Sequence, residues 1–244
     1  MFLNMTILFK LKKIHGLLCS FYFFKNFLKY GVAASVENKK LIKNINFDCL
    51  IDVGANIGQF STLCYAIKPN LYIYSFEPIR VCFDKLHNVL SESDNIFLEN
   101  VALGDVNEKK IINISKRIDS SSILDFELQD KVFKNTTQQS KELINVKKLD
   151  DYINTIKGEH ILLKIDVQGY EKNVLLGGIN LLKKVRYIFI ELSFIELYKN
   201  QPLFYDIYNL LINRGFILKS INNLTYENSF CIQGDFLFEN GKNL

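Results

Sequence analysis

The sequence predicts an α/β fold, a mostly parallel sheet covered by helices on both faces. Three observations carry this. From residue 48 onward, short continuous apolar runs alternate with segments of helical spacing, the pattern of strands buried on both faces. The first of these runs ends in a glycine-bearing turn that opens directly into a helix. A chain of 244 residues with 48% hydrophobic and 23% charged side chains suits one such domain with an extension or insertion, rather than two domains or a disordered chain.

The elements follow in order. Cys49–Val53 reads as the first strand, closed by Gly54, and Gln59–Ile67 as a helix stopped before Pro69. Leu71–Phe76 is the second strand. Ile79–Leu90 carries apolar residues at Val81, Cys82, Leu86, Val89 and Leu90, which is helical spacing. Ile96–Leu103 is read as a third strand, Ile161–Val167 as a fourth and Tyr187–Leu192 as a fifth, with a helix at Val174–Leu182 between the last two. Pro202 opens a helix that runs to Ile212, with Gly215 just past its end. Phe216–Ile221 and Cys231–Phe238 finish the sheet as an antiparallel pair joined near Asn222–Asn223. Residues 106–148 break the alternation. With strand-like pieces at Lys110–Ser115 and Leu143–Leu149 around a polar stretch, they read as an insertion covering the site.

Composition excludes several function classes. A net charge of +4 is too mild for nucleic-acid binding, which needs a clustered basic surface. The five cysteines are scattered and form no C-x-x-C pair, which argues against a zinc site or disulfide framework and for a reducing, cytoplasmic compartment. Residues 1–36 are set apart as an N-terminal helical extension, with residues 37–244 as the domain proper. Within residues 1–30, phenylalanine and leucine are interleaved with Lys10, Lys12, Lys13, Lys25 and Lys29, and the longest charge-free run is too short to span a bilayer. Two readings stand: helices packed on the domain, or a basic amphipathic segment in peripheral contact with an anionic membrane.

The chemistry starts at Ile51-Asp52-Val53-Gly54-Ala55-Asn56-Ile57-Gly58. Ligands of open α/β sheets bind at the carboxyl ends of strands, and the helix N-terminus beyond offers free N–H groups to a carboxylate or phosphate. The spacing is G-x-x-x-G, neither the G-x-G-x-x-G of dinucleotide binders nor a P-loop. Asp52 just before the turn suits a ligand bearing an ammonium and would repel a pyrophosphate. S-adenosylmethionine carries both an ammonium and a carboxylate. Glu77, at the end of the second strand, suits ribose hydroxyls, and Asn100, ending the third, is placed to reach an adenine. Polar residues at three successive strand ends point to this one nucleoside-bearing ligand.

These residues resemble the FkbM family of S-adenosylmethionine-dependent methyltransferases over about residues 48–195. The resemblance rests on Asp52–Gly58, on Phe76-Glu77-Pro78, on Asn100–Asp105, on Leu149-Asp150-Asp151, and above all on Leu163-Lys164-Ile165-Asp166-Val167-Gln168-Gly169-Tyr170-Glu171 with Leu175–Gly177 and Ile190-Glu191. Where the family often has Glu, this chain has Gln168, one carboxylate fewer. The resemblance implies a Rossmann-like class I methyltransferase fold, a seven-stranded sheet with an antiparallel C-terminal strand, and O-methylation of a hydroxyl on a sugar or natural product. Asp52, Gly54, Asn56, Gly58, Glu77, Asn100 and Ala102 are the candidate donor-binding residues.

A hydroxyl acceptor needs alignment and a group to take its proton. Asp166 at the end of the fourth strand is the first choice for base or orienter. Lys164, two residues back on the same face, is placed to pair with it, and Glu191 ends the fifth strand beside the same pocket. Gln168 and Glu171 are candidates for the acceptor side, with Glu171 alternatively holding its own loop. Asp166 and Glu191 could share a divalent ion, but no dedicated cage is legible and no metal is assigned. Two other function classes fit less well. An NAD-dependent oxidoreductase lacks its second glycine, and a non-catalytic S-adenosylmethionine-binding homologue would keep the fold with Gln168 as a mark of decay.

Overall fold

A computed structural model describes residues 28–91 and 93–243. The expected membrane-facing segment at residues 1–30 lies almost wholly outside the described residues. Among those described, no helix is long and apolar enough to cross a membrane. The last residues of the predicted extension pack on the domain. Val32 and Ala34 are fully buried, and Ser35 N–H donates to the Gln59 carbonyl, so this stretch is stitched into the domain.

The main sheet has seven strands: β1 (Cys49–Val53), β2 (Tyr72–Phe76), β3 (Ile96–Glu99), β7 (Ile161–Ile165), β8 (Val185–Ser193), β9 (Phe216–Glu227) and β10 (Phe230–Asn240). Their order is β3-β2-β1-β7-β8-β10-β9. All neighbours are parallel except β10, which runs antiparallel to both β8 and β9. This is the expected Rossmann-like class I arrangement. The chain moves outward from β1 to β3, then returns to β7 on the other side of β1. The crevice where the order reverses, at the carboxyl ends of β1 and β7, is where open α/β sheets bind ligands.

Strand alternation sorts the core. Cys49, Ile51 and Val53 pack with Ile161, Leu163 and Ile165 on one face, while Leu50 and Leu162 join Ile73 on the other, under helix α2 (Gln59–Ile67). That second face also receives Asp52 and Lys164, which are register partners. The other helices are α1 (Lys39–Asn44), α3 (Arg80–Leu90), α4 (Gln129–Val132), α5 (Glu171–Leu176) and α6 (Phe204–Ile212).

Three elements differ from the sequence reading. The run Ile96–Leu103 is not one strand: it leaves the main sheet after Glu99 and resumes as β4 (Ala102–Gly104), which pairs with β6 (Gln138–Lys148) beside β5 (Glu108–Ser115) in a second, three-stranded sheet. The break falls at the polar pair Glu99-Asn100, inside a run that was read as continuous. The helix expected at Val174–Leu182 ends at Leu176, and Gly177, which caps it, lies so close to the Gly104 backbone that an added Cβ would overlap the carbonyl oxygen. The final turn lies at Asn228–Ser229, not at Asn222–Asn223. Both residues have positive φ, 48° and 69°, the conformation of a type I′ hairpin turn, so β9 and β10 extend as an arm beyond the sheet.

Candidate active site

The turn after β1 is built by backbone proximity. Gly54 has φ 74°, and a Cβ there would overlap the carbonyl oxygen of Asp166, so the glycine is required by the close approach of β1 and β7. Asn56 follows with φ 51°, and its N–H donates to Glu77 Oε2 at 2.8 Å. The other carboxylate oxygen of Glu77 accepts from Ile79 N–H, also at 2.8 Å. Glu77 is thereby pinned across the ends of β1 and β2. Burial pushes its carboxyl up to about 7, against the pull of those two N–H groups and of Lys164.

Asp52 corrects the sequence reading. It is fully buried and lines neither cavity described below. Strand alternation turns it under α2, where Ser61 Oγ donates to it at 2.6 Å and Lys164 Nζ lies 3.1 Å away. The ammonium that Asp52 meets belongs to the protein itself. Lys164 also donates to the Gly54 carbonyl at 2.9 Å and stands 3.8 Å from Asp166. Burial alone would lower its pKa, but Asp52 and Asp166 reverse this and hold it above the ordinary lysine value. Lys164 therefore braces the turn from below, closer to Asp52 than to the expected partner Asp166. Asn100 is likewise a brace and lines neither cavity: its Nδ2 donates to the carbonyls of Glu77 and Pro78 at 2.8 and 2.9 Å. Gly58 caps α2 with φ 89°, facing Leu86.

Two cavities adjoin at the strand ends and share Gly54, Asn56, Asp119 and Asp166. The first is the narrower of the two. Glu77 and Ala102 line it, Phe76, Leu103 and Val167 form its apolar floor, and Ile112, Ile118 and Ile123 cover it from above. The last three come from the 106–148 insertion. Asn56 Oδ1, at the boundary between the cavities, is buried with no hydrogen-bond partner. The second cavity is a wider cleft between residues 35–38, the Arg117–Asp119 ion pair and the β9–β10 arm, with Asp166 and Glu191 at its base.

Gln168 organises that base. It takes φ 55° in the loop after β7, and its single Nε2 donates to Asp166 Oδ1 at 2.8 Å and to Glu191 Oε2 at 2.9 Å. Its Oε1 lies 2.8 Å from the Tyr198 hydroxyl, which fixes the amide so that its two hydrogens face the carboxylates. Gln233 completes Glu191 from β10 at 2.8 Å. Burial, then repulsion from Asp166 and Asp235, raises Glu191 well above the usual carboxylate range. Glu171 lies away from both cavities. Its Oε1 accepts from Gly169 N–H at 3.0 Å and from Val167 N–H at 3.3 Å, so it holds its own loop. The structure brings together Asp166, Glu191 and Gln168, of which the sequence reading placed Asp166 and Glu191 at one pocket and gave Gln168 to the acceptor side. Sequence reasoning missed Tyr198, Gln233, Asn223 and Asp235. Of these only Asp235, an acid inside the apolar strand β10, left a signal in the sequence.

Among the described residues no group of three or more His, Cys, Asp or Glu is arranged to hold a metal ion.

The chain is similar to known proteins in sequence and in fold. The family model described as "Methyltransferase FkbM domain" matches residues 52–218. A curated relative, the 2-O-methyltransferase NoeI of Sinorhizobium fredii (strain NBRC 101917 / NGR234), is 26% identical over 160 residues, covering 62% of this chain and 66% of that protein, just under two thirds of its length. Among solved structures, magnesium protoporphyrin IX methyltransferase from Synechocystis PCC 6803 with bound SAM aligns at 10% identity and TM-score 0.43, over 84% of this chain and 80% of that one. Aeropyrum pernix fibrillarin with natively bound S-adenosyl-L-methionine aligns at 12% identity and TM-score 0.45, over 83% and 74%. A protein of the NADB-Rossmann superfamily from Streptococcus agalactiae aligns at 10% identity and TM-score 0.48, over 85% and 68%.

Proposed function

The chain belongs to the FkbM methyltransferase family, and from that premise we propose that it moves a methyl group from S-adenosylmethionine to a hydroxyl of a sugar in a glycan or glycolipid. S-adenosylmethionine is the methyl donor. The residues present fit it. Glu77 offers a carboxylate for ribose hydroxyls at the end of β2. The floor and cover of the first cavity are apolar enough for an adenine. The buried, unpartnered Asn56 Oδ1 calls for a hydrogen-bond donor, and an ammonium supplies one.

When bound, the donor supplies an activated sulfonium methyl. The chain's own residues do the rest. The wide cleft admits the acceptor, and Asp166 at its base, with a side chain 39% exposed, takes the hydroxyl proton. Gln168 orients Asp166 through Oδ1, and Oδ2, 3.8 Å from Lys164 Nζ, faces the acceptor. Glu191, pushed toward its protonated form, adds no full second charge beside the base. The observation that carries this reading is that Asp166 lies on the shared boundary of the two cavities, where donor and acceptor meet. The name of the curated relative, a 2-O-methyltransferase, supports an oxygen acceptor, and the polar lining of the cleft supports a polyhydroxylated one.

Incubating the full chain with methyl-labelled S-adenosylmethionine and glycan extracts tests the reading. Label is expected in a glycan fraction, and Asp166→Asn should reduce the rate by about 10²–10⁴-fold, the usual worth of a general base. Undiminished transfer by the variant would remove Asp166 from the role.

A further inference from the structure

The alignment of Asp166 depends on a residue that lines neither cavity. Gln168 directs both hydrogens of Nε2 at carboxylates, Asp166 Oδ1 at 2.8 Å and Glu191 Oε2 at 2.9 Å. The amide is planar, so its aim is set at the other end too, where Oε1 needs a donor. Among the described residues that donor is the Tyr198 hydroxyl, at 2.8 Å. Tyr198 lies in the loop after β8 and is 1% exposed. Burial, then the charge of Glu191, pushes its phenol up, so the hydroxyl keeps its hydrogen.

The same hydroxyl ties this cluster to the 106–148 insertion. It lies 3.0 Å from the Ser120 carbonyl, so its one hydrogen is shared between two oxygens. Ser122 Oγ donates to the backbone carbonyl of Gln168 at 2.6 Å. Gln168 is thus held at both its main chain and its amide while it stands at φ 55°, a conformation that residues other than glycine rarely adopt. Ile118 and Ile123, from the same stretch of the insertion, cover the first cavity. The hydroxyl is not what fastens the insertion here. The Leu197 carbonyl accepts from the N–H groups of Glu127, Leu128 and Gln129, and Phe126 meets the Tyr198 ring edge-on at 5.6 Å. Its bond to Gln168 is therefore separable from the packing of its ring.

We infer that Tyr198 is a positioning residue for methyl transfer: acting through the Gln168 amide, it aims Asp166 at the acceptor and joins that aim to the cover of the first cavity. This rests on reading Asp166 as the base of a methyltransferase.

The test compares the full chain with Tyr198→Phe, Gln168→Ala and the double variant, in two readouts. The first needs no acceptor. With glutamine side chains labelled with ¹⁵N, the Gln168 signals are identified by their loss in Gln168→Ala. In Tyr198→Phe those amide hydrogens are expected to exchange with water about tenfold faster or more. The second readout is label transfer from S-adenosylmethionine to glycan extracts. Tyr198→Phe should lower the maximal rate by about tenfold, the low end of what a hydrogen bond to a charged group is worth. Its affinity for S-adenosylhomocysteine should not change in calorimetry, because Tyr198 lines neither cavity. In the Gln168→Ala background the same substitution should cause no further loss, since its effect runs through the amide.

Unchanged amide exchange, an undiminished rate, or an equal further loss in the Gln168→Ala background overturns the inference and leaves Tyr198 as packing for the insertion. If Tyr198→Phe does not fold by circular dichroism, Gln168→Ala decides: a full rate in it removes the amide from the alignment, and Tyr198 with it. An unmutated chain that labels no glycan sinks the reading of Asp166 as base, and the positioning role falls with it. The amide readout keeps the two failures apart, because it does not depend on that reading.

Discussion

Glu77 and Lys164 show what individual charges do here. Glu77 is held by two backbone N–H groups yet sits at about 7, because burial outweighs them. Ribose hydroxyls donating to it would favour the ionised form, so donor binding below that value must release a proton. Affinity for S-adenosylhomocysteine is expected to weaken by up to tenfold per unit as pH falls below about 7. Calorimetry at pH 6 in buffers of different ionisation enthalpy should register the released proton, and no buffer dependence would contradict it. The same shift acts on stability. A carboxyl raised on folding binds its proton more tightly in the native state, so its contribution falls as pH rises from the unfolded value of about 4.5 to about 7. Glu171, also raised to about 7 by burial, adds in the same direction. Lys164 is different, being a buried cation whose partner is buried too. Lys164→Met strands Asp52 and should cost about 3–5 kcal/mol in urea unfolding. The double variant with Asp52→Asn should recover most of that loss, and failure to recover would show that Lys164 acts through packing alone.

At the scale of elements, close backbone approaches determine the loops that form the site. Gly177 has ordinary backbone angles but no room, since a Cβ would overlap the Gly104 carbonyl. Gly215 is the reverse case, with φ 86° and open space around it. Gly215→Ala should therefore cost about 1 kcal/mol from backbone strain. Gly177→Ala should cost at least about 3 kcal/mol, since β4 and α5 must separate. Denaturant midpoints compare the two directly, and equal costs would refute the close-approach account. Gly177 and Gly104 were legible in the sequence as parts of a pattern, but not as each other's neighbours, because contact between segments 73 residues apart leaves no local periodicity. For the same reason strands β1, β2, β7 and β8 were readable from continuous burial, whereas the departure of β4 to a second sheet was not. The hairpin arm was read short because Asn222–Asn223 carries turn residues, while the register continues past them to Glu227.

The whole molecule places one half-enclosed apolar cavity and one open polar cleft on either side of Asp166. The Rossmann-like sheet fixes the strand ends, the 106–148 insertion covers the first cavity, and the β9–β10 arm walls the second. Of the three strand-end residues read as the donor side, only Glu77 lines the first cavity, beside Gly54, Asn56 and Ala102. Asp52 and Asn100 brace the strand ends from outside it, because strand ends report position along the sheet but not which way a side chain turns. The acceptor side draws on residues 35–38, 117–119 and 223–235, which meet only through tertiary folding. The proposed donor position is against Glu77, at the ends of β1 and β2. Calorimetric titration of the full chain with S-adenosylhomocysteine tests it most directly. One site per chain is expected, with affinity at least tenfold weaker in Glu77→Ala. Absence of binding, or equal affinity in a folded Glu77→Ala protein, would contradict it.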